Sequence, residues 1–214
     1  MTTLIVVRHG QSASNLNQIF TGQKNTPLTE LGIQQAKNTA LFLKDYPINA
    51  IYASDLSRAM DTASPTAKMH GLEIIPDQAF REIDAGDWEG NRYEYLYQTY
   101  PKEYDLWLHD IGRAQPNGGE SVVALASRVY AGVDRLIAAH RGQCIAVFTH
   151  ATPVRVLGAR WYGYSVEDTA KVKFCGNASV SVVDYADDGS FSVRLYGYDE
   201  HQGNDATVFP KGLV

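Results

Sequence analysis

Unbroken apolar runs alternate with amphipathic stretches along most of this chain, and the two patterns predict two kinds of element. Leu4-Ile5-Val6-Val7 and Cys144-Ile145-Ala146-Val147-Phe148-Thr149 are short runs rich in apolar and β-branched residues. Such runs, bounded by turn signals, read as strands buried on both faces. Ala50-Ile51-Tyr52-Ala53 and Leu72-Glu73-Ile74-Ile75 read as shorter strands, the second ending at Pro76. Between the strands the period lengthens to that of a helix. Thr29-Glu30-Leu31-Gly32 opens a helix whose apolar residues Ile33, Ala36, Ala40 and Leu43 fall on one stripe, stopping near Pro47. A second helix is predicted from about Asp55 to His70, with Gly71 suited to the position just past its end. A third, longer helix starts near Glu120-Ser121 and ends near His140, with Gly142 after it. The tail departs from this alternation: Val180-Ser181-Val182-Val183 and Phe191-Ser192-Val193-Arg194-Leu195 flank Asp187-Asp188-Gly189, a hairpin signal.

Alternating strands and helices predict an α/β fold, a three-layer α/β/α sandwich whose central sheet is mainly parallel with an antiparallel edge strand. The chain of 214 residues, 44% hydrophobic, suffices for one sizeable core. No internal repeat, low-complexity tract or linker interrupts it, so a single domain over residues 1–214 is expected. Residues 88–116 break the pattern. Tyr93, Tyr97, Tyr100, Tyr104 and Trp107 recur at helical spacing, and Pro101 divides them into two short helices. Such a stripe reads first as core packing. It also suits a helical cap insertion, about residues 91–117, over a crevice.

Charge narrows the partners. A net charge of -5 with no global basic surface gives no footprint for nucleic acid. The only cysteines, Cys144 and Cys175, lie in apolar or small-residue surroundings without metal-ligand spacing. The N-terminus lacks a signal pattern, and no stretch approaches the ~18 apolar residues of a membrane span. The expectation is a soluble, cytoplasmic protein acting on a small molecule, with no nucleic acid or membrane partner, as a monomer or homodimer.

The chemistry gathers at strand ends. Arg8-His9-Gly10 follows the first strand directly, and His150 ends the Cys144–Thr149 strand. Arg58 lies in the first turn of the helix after Ala53, behind Ser54-Asp55-Leu56-Ser57, which can cap it. If these strands are parallel neighbours, the four side chains converge where α/β proteins bind ligands. Singly, each has an ordinary reading: an arginine at a helix start usually pairs with a surface acid, and a strand-end histidine is usually a satisfied loop residue. Together they fit a phosphate monoester. Arg8 and Arg58 fork onto its oxygens, His9 attacks phosphorus, and His150 donates to an equatorial oxygen. The leaving alkoxide then needs a proton. Glu82, in Phe80-Arg81-Glu82-Ile83-Asp84-Ala85-Gly86-Asp87-Trp88-Glu89-Gly90, is the candidate acid, with Asp84, Asp87 and Glu89 as rivals. His70, His109, His140 and His201 have no comparable support; His140 suits the dipole at a helix end.

The order of these segments resembles the histidine phosphatase superfamily, in its phosphoglycerate mutase-like branch. The carrying residues are Arg8-His9-Gly10-Gln11-Ser12, Asn15, Thr21-Gly22, Pro27-Leu28-Thr29-Glu30-Leu31-Gly32, Ser54-Asp55-Leu56-Ser57-Arg58-Ala59, Glu82 with Gly86-Asp87-Trp88-Glu89-Gly90, Gly118-Gly119-Glu120-Ser121 and Thr149-His150. The resemblance implies a phosphoglycerate mutase-like fold, His9 as phospho-acceptor and Glu82 as proton donor. It implies a phosphate pocket of Arg8, Arg58 and His150, with Asn15 on a phosphate oxygen and Gln11, Thr21 and Gly22 lining the site. It implies no metal and no cofactor; 2,3-bisphosphoglycerate would serve as a primer only in a mutase. One departure stands out. Where members commonly carry glycines after the second histidine, Ala151-Thr152-Pro153 stands here. The Ala151 N–H still reaches phosphate, but the added side chains narrow the space.

The family contains phosphatases and mutases. The segment Asn91–Asn117 is short and holds few cations, Arg92, Lys102 and Arg113. It resembles the phosphatase subgroup, including broad phosphomonoesterases and α-ribazole phosphatase-like enzymes. The expected activity is therefore phosphomonoester hydrolysis, with cofactor-dependent phosphoglycerate mutation as the alternative. Two other classes are weaker. A non-catalytic phospho-ligand binder would lack one of His9, Arg8, Arg58, Glu82 or His150, and all are present. A metal-dependent hydrolase would need ligand spacings such as HExxH that this chain lacks.

Overall fold

The computed structural model describes residues 1–208. Its strands are β1 (Thr2–Arg8), β2 (Ile48–Ala53), β3 (Ile74–Pro76), β4 (Cys144–Thr149), β5 (Val180–Tyr185) and β6 (Phe191–Tyr198). Its α-helices are α1 (Ala13–Leu16), α2 (Glu30–Leu43), α3 (Ser57–His70), α4 (Tyr93–Thr99), α5 (Pro101–His109), α6 (Val122–Ala139) and α7 (Ala151–Trp161). The strands form one sheet in the order β3-β2-β4-β1-β5-β6. β1, β4, β2 and β3 pair in parallel, while β5 runs antiparallel to β1 and β6 antiparallel to β5.

The apolar runs explain the layers. Alternate residues of a strand face opposite sides, so a run buried throughout needs cover on both. Leu4, Val6, Ile145 and Val147 pack into one cluster with Leu125, Val129 and Val133 of α6 and Val154 and Leu157 of α7. Ile5, Val7, Ala146 and Phe148 pack into the other with Leu43 of α2 and Ala63 and Ala67 of α3. Each such aliphatic side chain contributes roughly 1.5–3 kcal/mol when fully buried. Leu96 of α4 and Tyr104 of α5 extend the first cluster around Trp88.

Several details differ from the sequence expectation. Ile33 is 46% exposed, and the inner face of α2 carries buried Gln35 and Thr39 instead. The reason is what that face meets. Gln35 accepts from the Gln11 backbone N–H and donates to the Asp205 carbonyl and the Thr207 hydroxyl, so it needs polar groups rather than another apolar one. α3 begins at Ser57 behind Leu56, with no side-chain cap on the helix itself. Ser54 Oγ instead accepts from Leu56 N, and Asp55 pairs with Arg81. His140 does end α6, and also lies 2.8 Å from the Tyr52 hydroxyl and 2.6 Å from Gln143 Oε1.

Candidate active site

The parallel register brings the strand ends together. Arg8 pairs with Thr149 and Ala53 with Phe148. The chain continues this ladder one step, with His9 N donating to Thr149 O and Ser54 N to Phe148 O. His9 and His150 therefore emerge side by side, their ring centroids 5.1 Å apart and edge to face. Gly10 allows the exit of the chain: a Cβ there would stand 2.5 Å from the Gly32 carbonyl oxygen of α2.

His9 Nδ1 lies 2.7 Å from the Gly10 carbonyl oxygen. A carbonyl only accepts, so the neutral ring carries its proton on Nδ1 and keeps a lone pair on Nε2. Burial, then the Arg58 and Arg8 guanidinium groups, hold His9 well below the ordinary imidazole value. At neutral pH it is an uncharged imidazole near two cations. Arg8 donates to the Cys175 carbonyl at 2.6 Å and stacks on Phe174. Arg58 donates to the carbonyls of Gly22 and Lys24. Burial pushes both arginines down to about 10, far above neutrality, so both stay charged.

Arg8, His9 and Arg58 line a cavity of about 530 Å³, together with Gln11, Asn15, Thr21, Gly22, Glu82 and Ala151. Asn15 Oδ1 accepts from the Ser12 backbone and hydroxyl and from Asn177 Nδ2, which leaves its own Nδ2 as the donor toward the cavity. Ala151 opens α7 behind His150, so its backbone N–H has no partner within the helix. His150 is fully buried and packs on His9 rather than lining the cavity. Its Nε2 lies 2.8 Å from Ser54 Oγ, and its Nδ1 has no hydrogen-bond partner among the described residues. Burial, then Arg58, hold it well below the ordinary value as well.

The carboxylates separate clearly. Glu82 lines the cavity, its Oε1 accepting from Ile83 N and its Oε2 from Thr152 N. Asp84, Asp87 and Glu89 do not line it. Glu89 instead accepts from Gln23 N and Lys24 N, and so holds the turn whose carbonyls grip Arg58. Gly22 in that turn has φ +50°, and a side chain on it would collide with the Glu89 carboxylate.

The aromatic segment serves both readings. Tyr93, Tyr104 and Trp107 line the cavity and pack into the core cluster, whereas Tyr97 is exposed. The sequence did not single out Phe20, Arg155, Phe174, Thr207 or Val208, which also line the cavity. His109 lies there too, at 71% side-chain exposure and 3.0 Å from Asp105. No residue spacing marks these, because they come from five distant segments joined only by the fold. Among the described residues no cluster of His, Cys, Asp and Glu could hold a metal, and no helix is long and apolar enough to cross a membrane.

A neutral histidine that shares a cavity with two buried arginines and packs on a second histidine is the arrangement the strand ends foreshadow. The profile of the histidine phosphatase superfamily, branch 1, matches residues 4–198. The chain belongs to that superfamily. This histidine phosphatase superfamily member is 32% identical over 198 residues to the bifunctional protein Rv2228c of Mycobacterium tuberculosis, covering 91% of this chain and 53% of that one. It thus spans about half the length of that relative. Phosphoserine phosphatase 1 of Hydrogenobacter thermophilus is 32% identical over 187 residues, 86% of each chain. A 2,3-bisphosphoglycerate-dependent phosphoglycerate mutase of Allorhizobium ampelinum is 38% identical over 165 residues, covering 72% of this chain and 77% of that one. Among solved structures, YhfR of Bacillus stearothermophilus superposes with a TM-score of 0.89 at 27% identity, covering 94% of this chain and 99% of that one.

Proposed function

We propose that this protein hydrolyses phosphomonoesters of small metabolites through a phosphohistidine at His9, without metal or cofactor. The observation that carries the reading is the His9 ring: its proton is fixed on Nδ1 by the Gly10 carbonyl, which leaves the Nε2 lone pair in a cavity that Arg8 and Arg58 also line. The arginines neutralise the phosphate dianion that a nucleophile must approach. As the Nε2–phosphorus bond forms, the bond to the ester oxygen breaks, and Glu82 in its acid form gives its proton to the departing alcohol. The resulting carboxylate takes a proton from water as that water attacks the phosphohistidine, releasing phosphate and restoring both groups. Ser54 Oγ, which accepts from Leu56 N, also has a proton that it can give to His150 Nε2. His150 packs on His9 behind the cavity lining, and its Nδ1, unpartnered among the described residues, is the proposed donor to an equatorial oxygen once the phosphoryl group is bonded to His9. Asn15 Nδ2 and the Ala151 N–H are further donors to the same group.

The test is rapid quench with a phosphomonoester labelled in its phosphate. The expected result is base-stable, acid-labile label on the protein, one per active site, formed as fast as the alcohol is released. His9→Ala abolishes the label and lowers turnover by at least ~10³-fold. Undiminished turnover in His9→Ala overturns the assignment.

A further inference from the structure

Glu82 lies on a stretch without regular structure, between the short turn at residues 78–80 and that at 86–88. One side chain from another layer holds three backbone carbonyls of this stretch and the turn before it: Arg128 of α6. All five of its N–H groups are engaged. Nη1 donates to the carbonyls of Ala79 (2.9 Å) and Arg81 (2.8 Å). Nη2 donates to the Glu82 carbonyl (2.9 Å) and to Glu120 Oε2 (2.8 Å), and Nε donates to Glu120 Oε1 (2.7 Å). Glu120 also binds the far side of the stretch, its N–H donating to the Asp84 carbonyl. Gly119 lets the backbones come this close, because a Cβ there would strike the Asp84 carbonyl oxygen. Gln23 Nε2 adds a second donor to the Glu82 carbonyl at 3.2 Å.

Neither Arg128 nor Glu120 lines the catalytic cavity. Their charges pair with each other, and what remains is a planar fork that spans three carbonyls of one short segment. A lysine, with a single ammonium, cannot span them. We infer that Arg128, held in plane by Glu120, is a positioning residue that fixes the Glu82 carboxyl where it meets the leaving oxygen. The inference rests on Glu82 being the acid of the proposed hydrolysis. A displacement of about 1 Å at such a group costs on the order of 10²-fold in rate. The loss falls on substrates whose leaving group needs the proton.

The experiment measures kcat/KM for p-nitrophenyl phosphate, a good leaving group, and β-glycerophosphate, a poor one. It uses wild type, Glu82→Gln, Arg128→Lys, Glu120→Gln and the double variant Glu82→Gln/Arg128→Lys. The readout is the aryl-to-alkyl ratio within each preparation, from which any loss of active protein cancels. Glu82→Gln is expected to raise the ratio ~100-fold, within the range for general acid catalysis. Arg128→Lys and Glu120→Gln are expected to raise it about tenfold or more, and Arg128→Lys to add nothing in the Glu82→Gln background. Glu120→Gln preserves shape, so it answers even if Arg128→Lys does not fold. A wild-type ratio in both clamp variants, with a raised ratio in Glu82→Gln, overturns the positioning role alone. Independent, multiplying effects overturn it too. A wild-type ratio in Glu82→Gln removes Glu82 as the acid, and the role of Arg128 with it.

Discussion

His9 and His150 are buried as neutral rings, and that has a consequence for stability. In the folded protein both bind a proton only well below the ordinary imidazole range, whereas in the unfolded chain each titrates near 6.5. As pH falls through 6.5 the unfolded state therefore takes up protons that the folded state does not, and stability declines. The contribution is complete above 6.5 and shrinks by about 1 kcal/mol per histidine between pH 6.5 and 5.5. Denaturant unfolding in phosphate-free buffer at pH 7.5 and 5.5 measures it. The wild type is expected to lose more stability over that wider interval than His9→Gln, by about 1.4 kcal/mol. Equal losses would mean that the His9 site admits the proton. The meeting of Arg8, His9, Arg58 and His150 at neighbouring strand ends was legible in the sequence, because three apolar runs in order each lead to one of them, although any one run alone has an ordinary reading. The hydrogen-bond partner of the second ring was not, since Ser54 meets His150 from 96 residues away.

At the scale of elements, the sheet and its helices were readable wherever burial alone dictated the pattern. The apolar period misled on α2, whose inner face meets backbone polar groups and therefore carries Gln35 and Thr39. The split of the aromatic stripe at Pro101 was correct, with α5 starting at that proline. What the stripe could not show is that Phe20, seventy residues upstream of the cap, joins it. Phe20 packs against Trp107 at 5.0 Å, Trp88 at 5.4 Å and Tyr93 at 6.2 Å between centroids. This cluster is wall and core at once, so truncating it alters both. Trp107→Ala is expected to lower kcat/KM for 1-naphthyl phosphate about tenfold relative to β-glycerophosphate, the worth of one aromatic contact. It also lowers stability by roughly 1–3 kcal/mol, because the indole is only partly buried. Parallel changes for the two esters would leave α4 and α5 as core packing without a share in substrate choice.

For the whole molecule, the phosphoryl group of the proposed phosphohistidine at His9 can have two fates. A mutase returns it to a bound sugar acid and shields it from water, and the multiply charged bisphosphate that primes it needs a strongly basic site. Here the cations of the cap segment, Arg92, Lys102 and Arg113, are exposed and none lines the cavity. Arg113 is already paired with Asp110. The cavity wall toward the cap is aromatic and aliphatic instead, with Phe20, Tyr93, Tyr104, Trp107 and Leu108. Arg8 and Arg58 are the two arginines proposed for one phosphate; among the described residues only Arg155, itself tied to the Val172 and Ala170 carbonyls, adds a further arginine to the lining. That charge distribution favours water as the final acceptor. Purified protein in excess chelator, given 3-phosphoglycerate with 2,3-bisphosphoglycerate, is therefore expected to release free phosphate and form no 2-phosphoglycerate. A general aryl phosphate run in parallel is expected to turn over at the same rate with and without chelator. Rapid isomerisation with little free phosphate would make the enzyme a mutase, and the second phosphate would then have to find its counter-charge at Arg155.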